Sequence, residues 1–301
     1  MATLVRAPWL VPIVGPPVAD GGVLLNDRGR VLAAGPFSDV AAHPALRQWG
    51  RRASAWRAVD GVLMPALVNA HTHLELAWLA GRVGPGGPMP AWIERLLFVR
   101  ERHPVPDTVM RRAAERLLAE LHDQGVAAVL DIGNRSAASA LDPPPGPSGR
   151  RLYRLFLHEL LGAEPPPTPP EAPVTAHAPY SCGPRLLTWA KKESQRQGVP
   201  FSIHLAESAE EVVFLRHGSG PFADFFRRRG LVPPSRPGQN PIAYLDRLGV
   251  LDASTVCVHV VHATSNDLAL LARRGVKVVL CPGSNRFIGV GRPDVAGMLA
   301  A

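Results

Sequence analysis

Cysteine is scarce: Cys182, Cys257 and Cys281 are the three in 301 residues, and no two form a Cys-x-x-Cys pair. An odd set without pairing fits a reducing compartment better than a disulfide framework. With no thiolate-metal pattern, the three read as small buried residues. Long apolar runs are also missing. No stretch approaches the roughly 20 residues of a membrane span, so no membrane partner is expected. The apolar opening MATLVRAPWLVPIVGPP is cut by Pro8, Pro12, Pro16 and Pro17. It lacks an uninterrupted apolar segment followed by a small-residue cleavage site, so the expectation is a mature, cytoplasmic protein. Lysine is rare, with Lys191, Lys192 and Lys277 alone among the basic residues that are otherwise arginine. The formal charge of +8 is dispersed, as in Arg51-Arg52, Arg111-Arg112 and Arg227-Arg228-Arg229. A nucleic-acid face needs a basic stripe with aromatics between, and none occurs. No GxGxxG follows a strand, which disfavours a Rossmann-type binder.

What is present supports a large core. Hydrophobic residues make up 46% and charged residues 19% of the chain, a balance far from that of disordered segments. Residues 1–60 carry short β-like runs at 10–14, 22–25 and 31–34. Asn26-Asp27-Arg28-Gly29 between them is a hairpin signal. They predict a small β module. From 61 to 301 the pattern changes to apolar strands at 62–70, 126–131, 152–158, 173–177, 200–204, 255–260 and 276–281. Helices are expected at 91–102, 107–124, 184–197, 207–216, 221–229, 240–248 and 265–274. Strands that are apolar throughout and separated by helices form a parallel sheet covered on both faces. The fold class expected is therefore α/β: a (β/α)8 TIM-type barrel with seven strands visible, plus the N-terminal β module. The Pro-rich stretches 143–147 and 165–173 read as loops.

In such a barrel the chemistry stands at the C-terminal ends of the strands. The first strand, in GVLMPALVNAHTHLEL (61–76), ends in His71 and His73. Strand residues two apart share a face, so these imidazoles converge and form half of a divalent-metal site. The second strand ends in Asp131, and the third carries His158 and Glu159. The fourth ends in His177, within TAHAPYSCGP. The fifth ends in His204, within SIHLAES, with Glu207 three residues on. The sixth holds His259 and His262, and the seventh runs into CPGSN at 281–285.

HTH, HAPYS, HLAE and VHVVH, in that order, resemble the amidohydrolase superfamily over nearly the whole chain. In texture they resemble its deaminases of adenine-type nucleosides: S-adenosylhomocysteine, methylthioadenosine, adenosine and 6-aminodeoxyfutalosine. The resemblance implies a hydrolase of C–N bonds other than peptide bonds, acting on a small molecule by metal-activated hydroxide. It implies one divalent ion, zinc foremost with iron or nickel open, held by His71, His73 and His204. Glu207 would protonate the ring nitrogen beside the reacting carbon, and His259 would orient the attacking oxygen. Glu207 has another possible role, as a helix-start carboxylate helped by Ser208. His177, Glu75 and Trp92 are candidates for substrate contact, and His262 for a supporting or catalytic role. The lysine that bridges two metals in dinuclear relatives is absent from the fourth strand, which favours one ion. No PCxxC occurs, which separates the chain from the zinc cytidine deaminases.

The resemblance also expects an aspartate at the end of an eighth strand, as fourth ligand and general base. The sequence stops at RPDVAGMLAA, and Asp294 comes too early to serve. Two further readings therefore stay open beside deamination: a related C–N or C–Cl hydrolase of a heterocycle, and a truncated, non-catalytic metal-binding fragment. Beside a small-molecule substrate, a second copy of the chain in a homodimer stays open as a partner.

Overall fold

The computed structural model describes residues 2–49, 54–135, 141, 152–235 and 237–301. The expected loop at 143–147 lies outside them. The chain divides into two compact units, Met1–Leu67 and Val68–Ala301.

The first unit is built on β1 (Ala2–Leu10). β2 (Val18–Leu25) pairs with it antiparallel, and β3 (Val31–Pro36) pairs antiparallel with β2. The Asn26 side-chain oxygen accepts from the N–H groups of Arg28 and Arg30, and Gly29 takes φ +75°, so the β2–β3 hairpin closes where its sequence signal stands. Two short helices follow, α1 (Phe37–Ala41) and α2 (Pro44–Trp49). β4 (Ser54–Ala58) and β5 (Val62–Leu63) both join β1 in parallel. β1 buries alternate residues, among them Ala2 and Leu4, against Leu24 and Val40. The strand expected over 62–70 is two pieces. Pro65, which has no N–H to give a ladder, separates Val62–Leu63 from β6 (Leu67–Thr72). The first unit thus extends past residue 60.

The second unit alternates strands and helices. After β6 come a 3₁₀ turn (Leu74–Leu79), α3 (Met89–Arg102) and α4 (Asp107–Asp123). β7 (Val126–Gly133), β8 (Tyr153–Leu160), β9 (Val174–Ala176) and α5 (Pro184–Arg196) follow. β10 (Phe201–Leu205) leads to α6 (Ala209–His217), α7 (Pro221–Arg228) and α8 (Pro241–Arg247). β11 (Thr255–His259), α9 (Ser265–Arg273) and β12 (Lys277–Val279) lead to α10 (Pro282–Ile288) and α11 (Val295–Ala300). The strands form two ladders, β6-β7-β8-β9 and β10-β11-β12. The pairs β7/β8, β8/β9, β10/β11 and β11/β12 are parallel. The His204 N–H donates to the His177 carbonyl at 2.9 Å and so ties the end of β9 to β10. This is the order of seven units of a (β/α)8 barrel.

Local signals set the helix starts. Proline stands in the first turn of α5, α7, α8 and α10, where its missing N–H costs nothing. Thr264 and Asp267 close a capping box on α9. Asp294 caps α11 by accepting from the Gly297 N–H. All five residues of β10 are buried, as a strand covered on both faces requires. Phe201, Ile203 and Leu205 pack with Leu186 and Leu187 of α5 and Leu268 and Leu271 of α9. Each such side chain contributes about 1.5–3 kcal/mol. Among the described residues no helix is long and apolar enough to cross a membrane.

Candidate active site

β6 ends at Thr72, and His73 leaves the strand with φ −117° and ψ 81° to start the 3₁₀ turn. Its ring nevertheless joins that of His71. The Nε2 of His204, at the end of β10, lies 3.1 Å from His71 Nε2 and 3.2 Å from His73 Nε2. The ligand atoms of the three histidines all fall within 4.8 Å of one another. The chemistry of this donor set calls for a cation. His204 Nδ1 stands 2.9 Å from the His177 carbonyl. A carbonyl only accepts, so the ring proton sits on Nδ1 and Nε2 carries a bare lone pair. With a lone pair on His204 Nε2 and two more ring nitrogens within 3.2 Å of it, an ion between them would make this close approach favourable. Burial, joined by the other histidines, holds His71 and His204 well below the usual imidazole range and brings His73 to about 4. The rings are thus in the neutral, ligating form.

The loop after β6 is fixed from below. The Asp131 Oδ1, at the end of β7, accepts from the Leu74 N–H at 2.9 Å, and its Oδ2 takes the Arg154 guanidinium at 2.9 and 2.6 Å. Asp131 is fully buried, and burial raises its carboxyl to about 6 against the pull of Arg154. This pair holds the peptide next to His73. Glu75, expected to contact substrate, lines the cavity, but its Oε2 accepts from the N–H groups of Asn134 and Arg135, both at 3.0 Å. Its carboxylate anchors the loop after β7. A Cβ at Gly133 would stand 2.8 Å from that carboxylate, so only glycine leaves Glu75 its place.

On the other side, β10 and β11 end in strained backbone. Ala206 (φ +49°), His259 (φ +74°) and Val260 (φ +47°) occupy the left-handed region without being glycine. The Glu207 carboxyl, 3% exposed, lies 3.3 Å from His259 Nε2, and His259 Nδ1 lies 2.7 Å from Asn285 Oδ1. With the Nδ1 proton on the amide oxygen, Nε2 is left as an acceptor facing the Glu207 carboxyl. Burial, reinforced by Glu211, pushes Glu207 up to about 8, and burial brings His259 down to about 4. Both shifts agree with a neutral pair. The helix-start role left open for Glu207 falls instead to Ser208 and Glu211. Ser208 accepts from the Glu211 N–H, and the Glu211 carboxylate accepts from the N–H groups of Ala206 and Glu207 at 3.0 and 2.8 Å. These bonds lock the turn that carries Glu207.

His177 lies beside the centre, its Nδ1 2.6 Å from Ser181 Oγ, which in turn donates to the Ala178 carbonyl. Burial first, then His73, lowers it to about 3. His262 points elsewhere and gives its Nε2 proton to the Val290 carbonyl at 2.7 Å. Trp92, on α3, lines the cavity. Cys182 and Cys257 are buried, but Cys281 is only half-buried and also lines the cavity. The cavity holds about 1030 Å³, and its wall includes Met89, Ile93, Leu97, Phe225 and Ile288. A roomy apolar pocket with a few convergent polar groups is the usual form of a small-molecule site.

Glu159, His177 and His204 form a second group that could hold an ion. His204 cannot serve both, because its Nδ1 is already donating to a carbonyl. That favours one ion over two. Asp131, Arg154, Ser181, Glu211 and Asn285 were given no role from sequence. Of these, Asp131 had its strand-end position as a signal and Glu211 the Ser-x-x-Glu spacing from Ser208.

Comparison with known proteins matches residues 171–301 to the amidohydrolase family. The chain is 30% identical over 318 residues to the 5-methylthioadenosine/S-adenosylhomocysteine deaminase of Moorella thermoacetica, covering 99% of this chain and 67% of that protein. Among solved structures, aminofutalosine deaminase of Helicobacter pylori, in complex with methylthio-coformycin, superposes with TM-score 0.77 at 18% identity, covering 99% of this chain and 74% of that one. An adenosine deaminase from Xanthomonas campestris with bound zinc superposes with TM-score 0.68 at 22% identity, covering 99% of this chain and 66% of that one. The chain thus spans about two thirds to three quarters of the length of these proteins.

Proposed function

The chain belongs to the amidohydrolase family, and from that premise we propose that it is a metal-dependent aminohydrolase deaminating an adenine-type nucleoside. The observation that carries this reading is the meeting of three imidazole Nε2 atoms, from two strands distant in sequence, at the mouth of an apolar cavity. His71, His73 and His204 would hold the ion, and the zinc in the Xanthomonas relative favours zinc here. When bound, the ion supplies the Lewis acidity that makes a water molecule acidic near neutral pH.

The remaining work falls to side chains. Glu207, kept neutral by burial, donates its proton to the ring nitrogen next to the amine-bearing carbon and makes that carbon electrophilic. His259, its Nδ1 proton given to Asn285, keeps Nε2 beside Glu207, and once Glu207 has given its proton to the ring this Nε2 would accept a hydrogen bond from the attacking oxygen and fix its direction. His177 stands at the cavity wall where the ring or its substituent would lie. Met89, Ile93 and Phe225 exclude water from the ring. The carboxylate that would carry the water's proton to departing ammonia is not among the residues gathered here.

The test combines metal analysis with ammonia release from adenosine, methylthioadenosine, S-adenosylhomocysteine and 6-aminodeoxyfutalosine. We expect bound metal in the wild type, its loss in His204→Ala, and ammonia from at least one of the four. Full metal retention in His204→Ala would remove the site. Metal without ammonia from any of them would leave a metal-binding, non-catalytic fragment.

A further inference from the structure

We propose that Glu159 is a substrate-recognition residue whose carboxyl accepts a hydrogen bond from a hydroxyl group borne by the ligand next to the reacting ring. The proposal rests on the deaminase reading above. Glu159 stands at the end of β8 and is 5% exposed. Its Oε1 is buried and has no hydrogen-bond partner. His204 Nδ1 lies 3.7 Å from it, beyond hydrogen-bond reach. That nitrogen has already given its proton to the His177 carbonyl. His204 therefore leaves this oxygen unsatisfied.

Glu159 lines the same cavity as the metal centre. A buried carboxyl oxygen without a partner is costly, and such groups persist where a ligand completes them. Its surroundings say what kind of ligand. Ser181 gives its own proton to the Ala178 carbonyl, so it accepts the Nδ1 proton of His177. His177 Nε2 is then a second acceptor beside Glu159. Tyr180 adds a third cavity-lining group, its OH also buried, without a partner and able to donate as well as accept. Such a wall suits hydroxyl groups on a sugar-like substituent, which donate to Glu159 and His177 and can accept from Tyr180. A site built to hydrogen-bond a hydroxyl rejects the analogue that lacks it far more strongly than an apolar wall discriminates by shape.

The experiment uses zinc-loaded protein with adenosine and its 2′-, 3′- and 5′-deoxy analogues, in the wild type, Glu159→Gln and Glu159→Leu. The readout is kcat/KM where turnover occurs and Kd where it does not, with zinc content measured alongside. In the wild type, removal of one particular hydroxyl should weaken the ligand about 10- to 100-fold, the effect of leaving one buried polar group unpaired. In Glu159→Leu that analogue and adenosine should differ by less than about 2-fold, while the other analogues keep their own differences. Glu159→Gln, which retains an acceptor oxygen, should fall between. Unchanged discrimination in Glu159→Leu, or none in the wild type, overturns the assignment. Loss of zinc in Glu159→Leu also overturns it, because Glu159 would then support His204. Failure of every adenine nucleoside to bind zinc-loaded wild type overturns the deaminase reading itself, a result distinct from the others.

Discussion

Glu207→Gln should make the protein more stable at neutral pH and nearly inactive. Glu207 is buried and its carboxyl is raised from 4.5 to about 8. In the unfolded chain it ionises above 4.5, while in the fold it stays neutral. Rising pH therefore favours the unfolded chain, and the loss is complete once pH passes the folded value near 8. Each pH unit in that window removes about 1.4 kcal/mol, so about 3 kcal/mol is lost by pH 7. Glutamine cannot ionise, and its amide still donates to His259 Nε2 across the 3.3 Å contact. The variant should match the wild type near pH 4 and exceed it by up to about 3 kcal/mol at pH 7. Turnover should fall about 10²- to 10⁴-fold for want of a proton donor, with metal content unchanged. The assay is denaturant unfolding of chelator-treated protein from about pH 5 to about pH 8, paired with turnover of the zinc-loaded form. A difference in unfolding free energy that does not grow with pH would show that Glu207 is ionised in the fold and is not the donor.

The same carboxyl predicts the pH profile: kcat should decline as pH rises through about 8, where Glu207 loses its proton, and a flat alkaline limb would contradict this. Asp131→Ala removes the carboxylate from Arg154 and the acceptor from the Leu74 N–H. It should destabilise by about 3–5 kcal/mol and lower metal affinity about 10- to 100-fold; unaltered affinity in a metal titration would deny Asp131 a part in placing His73. Glu211→Gln leaves one of the Ala206 and Glu207 N–H groups without its acceptor. It should reduce kcat about 10-fold, the rate equivalent of roughly 1.4 kcal/mol, while KM and metal content stay near wild type. An equal rise in KM would mean the turn shapes binding rather than proton donation.

Much of the fold was legible because the signals are local. Apolar runs without alternation marked the parallel strands, and prolines in the first turn marked the starts of α5, α7, α8 and α10. Asn26 and Gly29 marked the hairpin. The break at Pro65 was misread because apolar residues flank it on both sides and pattern alone joined them. At the site, histidine is rare enough and the strand-end placement regular enough that His71, His73, His204 and His259 stood out.

Chemical type and chain position belong to the sequence, because periodicity and strand ends are properties of neighbouring residues. Which side chains share a proton is decided only by the fold. Glu75 and Glu207 look alike in the chain, yet one is tied to two backbone N–H groups and the other faces a histidine. The place of Glu159 near His204, 45 residues on, and the pairing of Asn285 with His259, 26 residues back, are set by how β8, β10, β11 and α10 are brought together. A proton's place depends on distance and burial, and both exist only once those strands are side by side.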